Sequence, residues 1–574
     1  MLLEQRVGYG AKPWLAYYPA GVPHQVEVPV RSLVEAFDEA TVKYARNRAV
    51  VFYGRAIRYE QLRDQADRFA AALADLGVRR GDRVALYLVN SPQFIIAYFG
   101  ALKAGATVTP ISPMYTSVEV RHQLEDSGAR VVVCQDILYE NVMKSGAAVD
   151  HVIVTGIDEY LPLTARLAGA GGLSRRRWGR AGPAQLASRP ERAALRWQSL
   201  LEKYPPRPPE VRIDPKQDLA SLPYTGGTTG QPKGVMLTHY NLLACHLQTR
   251  AFWPALQEGQ EVSLAYLPFY HIYGQVVVML GGLLQGGTLI LFTTPDLEDI
   301  LYAMERYGVT LFYGVPTVYE LLKEHEKTGR VDWKRLKLLT CGADTLHETT
   351  VRDWERRTGC RIHEGYGMTE TSGVSHATPL GRIKVGSFGV PIPNVSAGVV
   401  SPDSDAWVGV GEVGELILSG PNMMQGYWNR PEETRLALIE IDGERWVRTG
   451  DLVSMDEEGY FYFHDRKKDL IKYKGYSVFP KEIEAVLYQH PYVKAAAVVG
   501  VDSPKVGQLI KAYVVLQPEA RGKVSEQEIQ AYCAERLAPY KVPRVVEFRG
   551  ELPKTDVGKV SRRELREELQ EEAM

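Results

Sequence analysis

Cysteine is scarce in this chain: five in 574 residues, at Cys134, Cys245, Cys341, Cys360 and Cys533. They lie far apart, are odd in number and never take Cys-x-x-Cys spacing, which argues against both a disulfide scaffold and a zinc site and leaves a reducing cytoplasm as the expected setting. Charge of one sign is missing too. Lys plus Arg number 68 against 69 Asp plus Glu, a net charge of −1, so no global field draws the chain to nucleic acid or acidic lipid. Long apolar runs are also absent. The longest, Val276 to Leu284, contains two glycines and stops at Gln285, well short of the ~20 residues a membrane-spanning helix needs. Glycines and charges interrupt the first fourteen residues, leaving no apolar core for a signal peptide. A multidomain soluble enzyme is the expectation, because a chain this long divides its core.

The hydrophobic pattern alternates between two periods. From Tyr59 to Leu76, the residues Leu62, Ala66, Phe69, Ala70, Leu73 and Leu76 recur at helical spacing, and Gly77 supplies a stop. Val84–Val89 reads as a buried strand, and Ser91-Pro92 as an N-cap and first helical residue of a helix ending near Gly105. Further strands are predicted at Val131–Cys134, Val262–Leu267, Leu289–Phe292, Leu311–Tyr313 and Leu336–Leu339, an α/β order that favours a parallel sheet. Two segments break the rhythm. Residues 161–200 carry eight arginines (166, 175, 176, 177, 180, 189, 192 and 196) against one acid, Glu191, and look inserted. After Asp465 the texture becomes charged, then predicts a helix from Pro480, strands at Ala495–Val499 and Ala512–Leu516, and a helix near Glu526–Leu537. The expected domains are 1–465 and a compact second one, 466–574.

One stretch, Tyr224 to Val235, crowds three glycines and three threonines ahead of a lysine. Glycines at 226, 227 and 230 let successive backbone N–H groups converge on a phosphate; hydroxyls of Thr225, Thr228 and Thr229 add donors and Lys233 a point charge. It is not a Walker A loop, since Gln231-Pro232 separate Gly230 from Lys233. A flexible glycine turn is the plainer reading, but it leaves the hydroxyls and the lysine unexplained.

The segment resembles the phosphate loop of the acyl-adenylate-forming superfamily: acyl-CoA ligases, firefly-type luciferases and peptide-synthetase adenylation domains. Further segments follow in that family's order. Leu267 to Gly274 resembles the motif whose histidine, here His271, borders the acid pocket, and Gly365 falls at the acyl pocket as well. Cys341-Gly342-Ala343-Asp344 and Glu364 to Thr371 resemble the adenine and phosphate-metal segments, with Gly342 and Ala343 at the nucleotide. By that resemblance Tyr366 packs on adenine, Gly367 beside it also belongs to the ATP site, Thr369 contacts the α-phosphate, and Glu370, a hard oxygen ligand, holds Mg²⁺. Arg448 to Leu452 puts Asp451 on the ribose hydroxyls with Arg466 nearby. In Asp465 to Tyr476, Lys468 falls at the family's hinge, with Lys472 and Gly475 on the strand facing the site, Gly475 along the CoA channel, in the second half-reaction. Leu552 to Arg563 resembles the C-terminal motif, with Lys559 as its essential lysine.

The resemblance runs from about Leu33 to Leu565 and implies a large N-terminal adenylate-forming α/β domain with parallel subdomains plus a small mobile α+β C-terminal domain. It implies ATP, Mg²⁺ and coenzyme A as cofactors and substrates, and a carboxylic acid as the third reactant. Lys12 to Pro19, Met455 to Gly459 and Asp465 to Asp469 are similar to bacterial long-chain acyl-CoA ligases, which makes a medium- to long-chain fatty acid the expected acid. Ile471 to Tyr476 also resembles aryl-acid (4-coumarate-like) ligases, the runner-up. An acyl-AMP ligase loading a carrier protein shares most motifs, but only 15 residues follow Lys559, with no carrier attachment site among them. The arginine-rich segment leaves room for peripheral membrane contact as well as for a solvated loop. A homodimer is compatible with the sequence; a nucleic-acid partner is not expected.

Overall fold

The computed structural model describes residues 9–10, 12–162, 194–225, 232–293, 297–473, 476–503, 506–554 and 560–572. The chain divides into two compact units: one of residues 14–396 and 418–447, the other of 1–13, 397–417 and 448–574.

In the first unit the α/β expectation is met by two large sheets. One runs, among the described residues, in the order Val390–Pro391, His376–Ala377, His363–Tyr366, Leu338–Cys341, Leu311–Gly314, Val262–Ala265, Thr288–Leu291, Arg48–Phe52 and Arg55–Arg58. Its middle strands are parallel, and the last two pairings at the His363 end turn antiparallel. The other sheet is ordered Leu237–Thr238, Leu219–Ser221, Thr107–Pro110, Arg83–Tyr87, Val131–Gln135, His151–Thr155 and Leu195–Arg196. Every residue of Val131–Gln135 is buried, as expected of a parallel strand covered on both faces.

Helix Tyr59–Asp75 buries Leu62, Ala66, Phe69, Ala70 and Leu73 along one stripe, and Gly77 ends it at φ +88°. Helix Pro92–Lys103 is buried all round, so no amphipathic signal marks it; Ser91 caps it by accepting from the Phe94 N–H, with Pro92 at the first position. The strand expected at Leu336–Leu339 is displaced to Leu338–Cys341, because Trp333–Arg335 forms a tight turn that Leu336 still caps. The arginine-rich segment lies mostly outside the described residues. Its C-terminal end is built into the core: Leu195–Arg196 pairs with His151–Thr155, and the fully buried Trp197 lies 4.7 Å from Phe69 and donates to Tyr160 Oη at 3.2 Å.

The second unit contains a sheet in which Gly507–Leu516 lies between Val493–Ser503 and Ile471–Tyr473 and also pairs with Val545–Phe548. Helices Pro480–Tyr488 and Glu526–Ala534 contribute Ile483, Leu487, Ile529 and Cys533 to a core with Val498, Ala512 and Val514 of the sheet. Helix Arg562–Glu572 contributes Leu565 to a second cluster with Val499 and Tyr513.

Candidate active site

In the first unit, Tyr224–Thr225 and Lys233–Gly234 pair as antiparallel strands, with Thr225 opposite Lys233. The two flanks of the glycine-threonine segment are thus paired with each other; Gly226, Gly227, Thr228, Thr229 and Gly230 themselves lie outside the described residues. Residues 425–428 brace the pair: Met236 N–H donates to Gly426 O at 2.9 Å, Gln425 N–H to Met236 O at 2.9 Å and Trp428 N–H to Gly234 O at 2.8 Å. Asp126 pins both segments. Its carboxylate accepts from Tyr224 Oη at 2.7 Å and from Arg430 Nη2 at 2.8 Å, and its carbonyl from Trp428 Nε1 at 3.1 Å.

Lys233 Nζ lies 5.2 Å from the centre of the Tyr427 ring, and Tyr427 Oη donates to Glu370 Oε1 at 2.7 Å. Burial, reinforced by Glu370, pushes the Tyr427 hydroxyl far above the tyrosine range, so it stays a donor. A cation and a buried carboxylate thus share one neutral phenol, Lys233 near its ring and Glu370 at its hydroxyl. The pair offers one charge suited to a phosphate and one suited to a cation.

Glu370 sits in the turn Thr369–Thr371, 7% exposed, with Thr369 half-buried beside it. Asn422 Nδ2 donates to the carbonyls of Thr371 and Val374, both at 3.0 Å, while Asn422 O accepts from Ser372 Oγ at 2.8 Å. Met424 N–H donates to Glu370 O at 2.8 Å. The turn doubles back so tightly that a Cβ at Gly367 would lie 2.0 Å from Gly373 O, so only glycine fits there.

Tyr366 ends the strand His363–Tyr366, with its ring 4.6 Å from Phe388 and 5.8 Å from His376. Cys341 on the neighbouring strand faces Glu364, which brings Gly342 beside Gly365: a Cβ at Gly342 would lie 3.5 Å from Gly365 O and 3.4 Å from the Tyr273 ring. Ala343 adopts φ +72°, a strained conformation for a residue with a side chain. Burial raises the Glu364 carboxyl to about 7. His271 Nδ1 accepts from Tyr273 N–H at 3.2 Å, and Tyr273 opens a π-helix, Tyr273–Leu280, a rare element often found at functional sites. Tyr273 Oη lies 3.2 Å from Thr340 Oγ1. His271, Gly342 and Gly365 are thus gathered around Tyr273.

In the second unit, Asp451 and Arg466 are cross-strand partners, with Arg466 Nε 2.9 Å from Asp451 Oδ1. Asp451 is 1% exposed, and its N–H donates to Thr449 Oγ1 at 3.1 Å. Lys467 Nζ lies 3.0 Å from Glu415 Oε2, which Arg448 also contacts. Burial, against the opposing charge of Asp469, pushes the Lys468 ammonium down to about 8. Asp469 is in turn held by Arg566 at 2.7 Å and Arg562 at 3.3 Å; Arg562 also meets Glu484 at 2.6 Å and Asp465 at 3.7 Å. Burial outweighs Arg562 at Asp465, whose carboxyl rises to about 6. Lys472 is exposed on Ile471–Tyr473, its N–H donating to Gln508 Oε1 at 3.0 Å. Gly475 and Lys559 lie outside the described residues.

Tyr273, Tyr427, Asn422 and Asp126 hold this geometry together and were not singled out from the sequence. Only Tyr273 lay within a recognised segment; the others act through partners far away in the chain. Among the described residues no group of three or more His, Cys, Asp or Glu could hold a metal ion. A lone buried Glu370 suits a cation that takes its other oxygens from substrate and water, the habit of Mg²⁺. No helix among them is long and apolar enough to cross a membrane.

A model of the AMP-binding enzyme family matches residues 37–428, and one of the AMP-binding enzyme C-terminal domain matches 482–559. The chain is 38% identical to a long-chain-fatty-acid–CoA ligase of Bacillus subtilis, over 97% of its own length and 98% of the relative's. It is 37% identical to one of Escherichia coli O6:H1, with the same coverage of both chains. Among solved structures, ATP-bound MatB from Rhodopseudomonas palustris superposes with a TM-score of 0.79 at 29% identity, covering 93% of this chain and 98% of that one. Family-model matches over both parts of the chain, full-length relatives at 37–38% identity and the shared fold converge on one assignment: this chain belongs to the AMP-binding enzyme family.

Proposed function

We propose that the chain joins a medium- to long-chain fatty acid to coenzyme A in two steps, through an acyl-adenylate. The observation that supports the reading is that Lys233, paired with Thr225 at the base of the glycine-threonine segment, and the buried Glu370 both meet Tyr427, a cation and a carboxylate of the kind a nucleoside triphosphate and its metal call for. The names of the full-length bacterial relatives support the fatty acid.

In the first step a carboxylate oxygen of the acid forms a bond to the α-phosphorus of ATP and pyrophosphate leaves. Lys233 and the hairpin hold the phosphates, Thr369 meets the α-phosphate, and Tyr366, Gly367, Gly342 and Ala343 receive the adenine. Asp451, oriented by Arg466, accepts from the ribose hydroxyls. Mg²⁺, when bound at Glu370, neutralises charge on the phosphates. Lys559 stabilises the charge that builds on the phosphoryl group and pyrophosphate, which lowers the transition state beyond the ground state. His271 and Gly365 border the acid. In the second step the thiol sulfur of coenzyme A bonds to the acyl carbon and AMP leaves; rotation about Lys468, between domains 1–465 and 466–574, withdraws Lys559 and brings Lys472 and Gly475 to a CoA channel. The basic segment at 161–200 gives the enzyme a peripheral hold on anionic lipid.

The test is AMP and pyrophosphate release with Mg-ATP and coenzyme A over saturated acids from butyrate to stearate and over cinnamates. A maximum among the longer fatty acids is expected. A maximum on cinnamates would replace the acid by an aryl one, and AMP release that ignores coenzyme A would point to a carrier protein as acceptor.

A further inference from the structure

Glu370 is gripped at two points by one short segment. Met424 N–H donates to its carbonyl at 2.8 Å, and three residues further on Tyr427 Oη donates to its Oε1 at 2.7 Å. The far side of the turn is closed as well, with Asn422 spanning the carbonyls of Thr371 and Val374 at 3.0 Å each. The backbone of Glu370 and one of its carboxylate oxygens are therefore both fixed, which leaves the carboxylate little room to turn.

Tyr427 is itself held too firmly to follow a carboxylate that turns. Its N–H donates to Thr434 Oγ1 at 2.9 Å, and that hydroxyl donates to Arg430 O at 2.7 Å. Tyr427 also forms an antiparallel bridge with Val235, and the next residue, Trp428, donates its N–H to Gly234 O at 2.8 Å. On the other side Gly426, at φ +144°, lets the chain pass where a Cβ would lie 2.6 Å from the Thr434 methyl, so only glycine fits. The phenol stays protonated, since burial and Glu370 both push its ionisation far above the tyrosine range, and the charge-assisted bond to Oε1 persists at neutral pH.

A carboxylate held in this way treats divalent cations unequally. Mg²⁺ takes a carboxylate through one oxygen and fills its octahedron with phosphate oxygens and water, whereas the larger Ca²⁺ readily takes both oxygens of one carboxylate. Binding through one oxygen leaves the Tyr427 bond in place; turning both oxygens onto an ion would break it. Resting on the adenylation reading above, in which Glu370 holds the metal of the nucleotide, we propose that Tyr427 is a positioning residue that restricts Glu370 to a one-oxygen grip and so makes the site favour Mg²⁺ over Ca²⁺. Hydrogen-bonding partners that orient a metal-binding carboxylate carry weight of this kind.

The test measures the affinity of the full-length protein for ATP by calorimetry, with neither acid nor coenzyme A present, once in Mg²⁺ and once in Ca²⁺. The parent should bind MgATP about tenfold or more tighter than CaATP. Tyr427→Phe keeps the ring beside Lys233 and removes only the hydroxyl. It should narrow the preference about fivefold, the weight of one hydrogen bond, by weakening MgATP while CaATP affinity holds. Thr434→Val touches neither the carboxylate nor the phenol hydroxyl but releases the Tyr427 N–H, and should narrow the preference about threefold. Glu370→Gln should weaken MgATP by about tenfold or more. A preference in Tyr427→Phe within about twofold of the parent's would overturn the inference, including the case in which both complexes weaken alike, which a merely structural role would give. A parent that does not distinguish the two metals would overturn it as well. Unchanged MgATP affinity in Glu370→Gln would instead sink the reading of Glu370 as the metal's ligand, and a parent that binds no ATP would sink the adenylation reading, each taking the inference with it.

Discussion

The two units hold their candidate residues by different physics. In the first, sterics and hydrogen bonds that do not depend on ion pairs fix the turn carrying Glu370: a glycine with no room for a methyl, an asparagine amide spanning two carbonyls, and a phenol that does not ionise. In the second, Lys468 and Asp469 sit within a set of buried and half-buried charges, Asp465, Glu484, Arg562 and Arg566, that satisfy one another. Sterics and neutral hydrogen bonds are indifferent to salt, and charge pairs are not. The first arrangement suits a site that must keep one geometry, and the second a segment whose neighbours can be exchanged.

Four substitutions put that contrast at risk, in decreasing order of consequence. Arg562→Met leaves Asp465, Asp469 and Glu484 short of their shared cation and should cost about 3–5 kcal/mol in the second unit; chemical denaturation followed in high and low salt checks it, with the loss expected to shrink at low pH, where Asp465, raised to about 6, takes up a proton. Glu364→Gln should stabilise the first unit. The folded carboxyl keeps its proton up to about 7 while the unfolded one loses it from 4.5, so the folded state binds more protons between these values and stability falls as pH rises through them. The amide lacks that slope. Above pH 7 it should be the more stable form by on the order of 3 kcal/mol, and below 4.5 the two should match. Gly367→Ala forces a methyl against Gly373 O and should cost about 2–3 kcal/mol whatever the salt, read from thermal melting. Tyr427→Phe removes one hydrogen bond to Glu370 and should raise KM for ATP about fivefold, the effect of ~1 kcal/mol, with little change in melting temperature. Equal salt dependence for the Arg562 and Gly367 variants would erase the distinction.

Much of the fold was legible because its signals are local. The helix at Tyr59–Asp75 announces itself through one apolar stripe, and Ser91-Pro92 marks the next helix although its body is apolar on every side. Val131–Gln135 and Leu311–Gly314 fall where short apolar runs predict buried strands. The strand carrying Tyr366 is hidden by its short length and by Gly365 within it and Gly367 just after it; its neighbours Leu338–Cys341 and His376–Ala377 supply the ladder. The π-helix was hidden too, since its apolar run has no period that separates it from a buried strand or α-helix. At the site, the pairing of Asp451 with Arg466 follows the order of the motifs, and the structure places the two at 2.9 Å. Asp126, Asn422 and Tyr427 left no comparable trace. Asp126 reaches Arg430 across 304 positions and Tyr427 reaches Glu370 across 57, and contacts of that kind carry no local pattern.

The most direct test separates the two half-reactions in Lys559→Ala, using palmitate-dependent exchange of labelled pyrophosphate into ATP for the first and conversion of supplied palmitoyl-adenylate and coenzyme A to palmitoyl-CoA for the second. The account predicts a loss of about a hundredfold or more in exchange, the effect of removing a contact made in the transition state, with thioester formation kept within a few-fold. Exchange that survives the substitution, or a thioester step lost in equal measure, would contradict it.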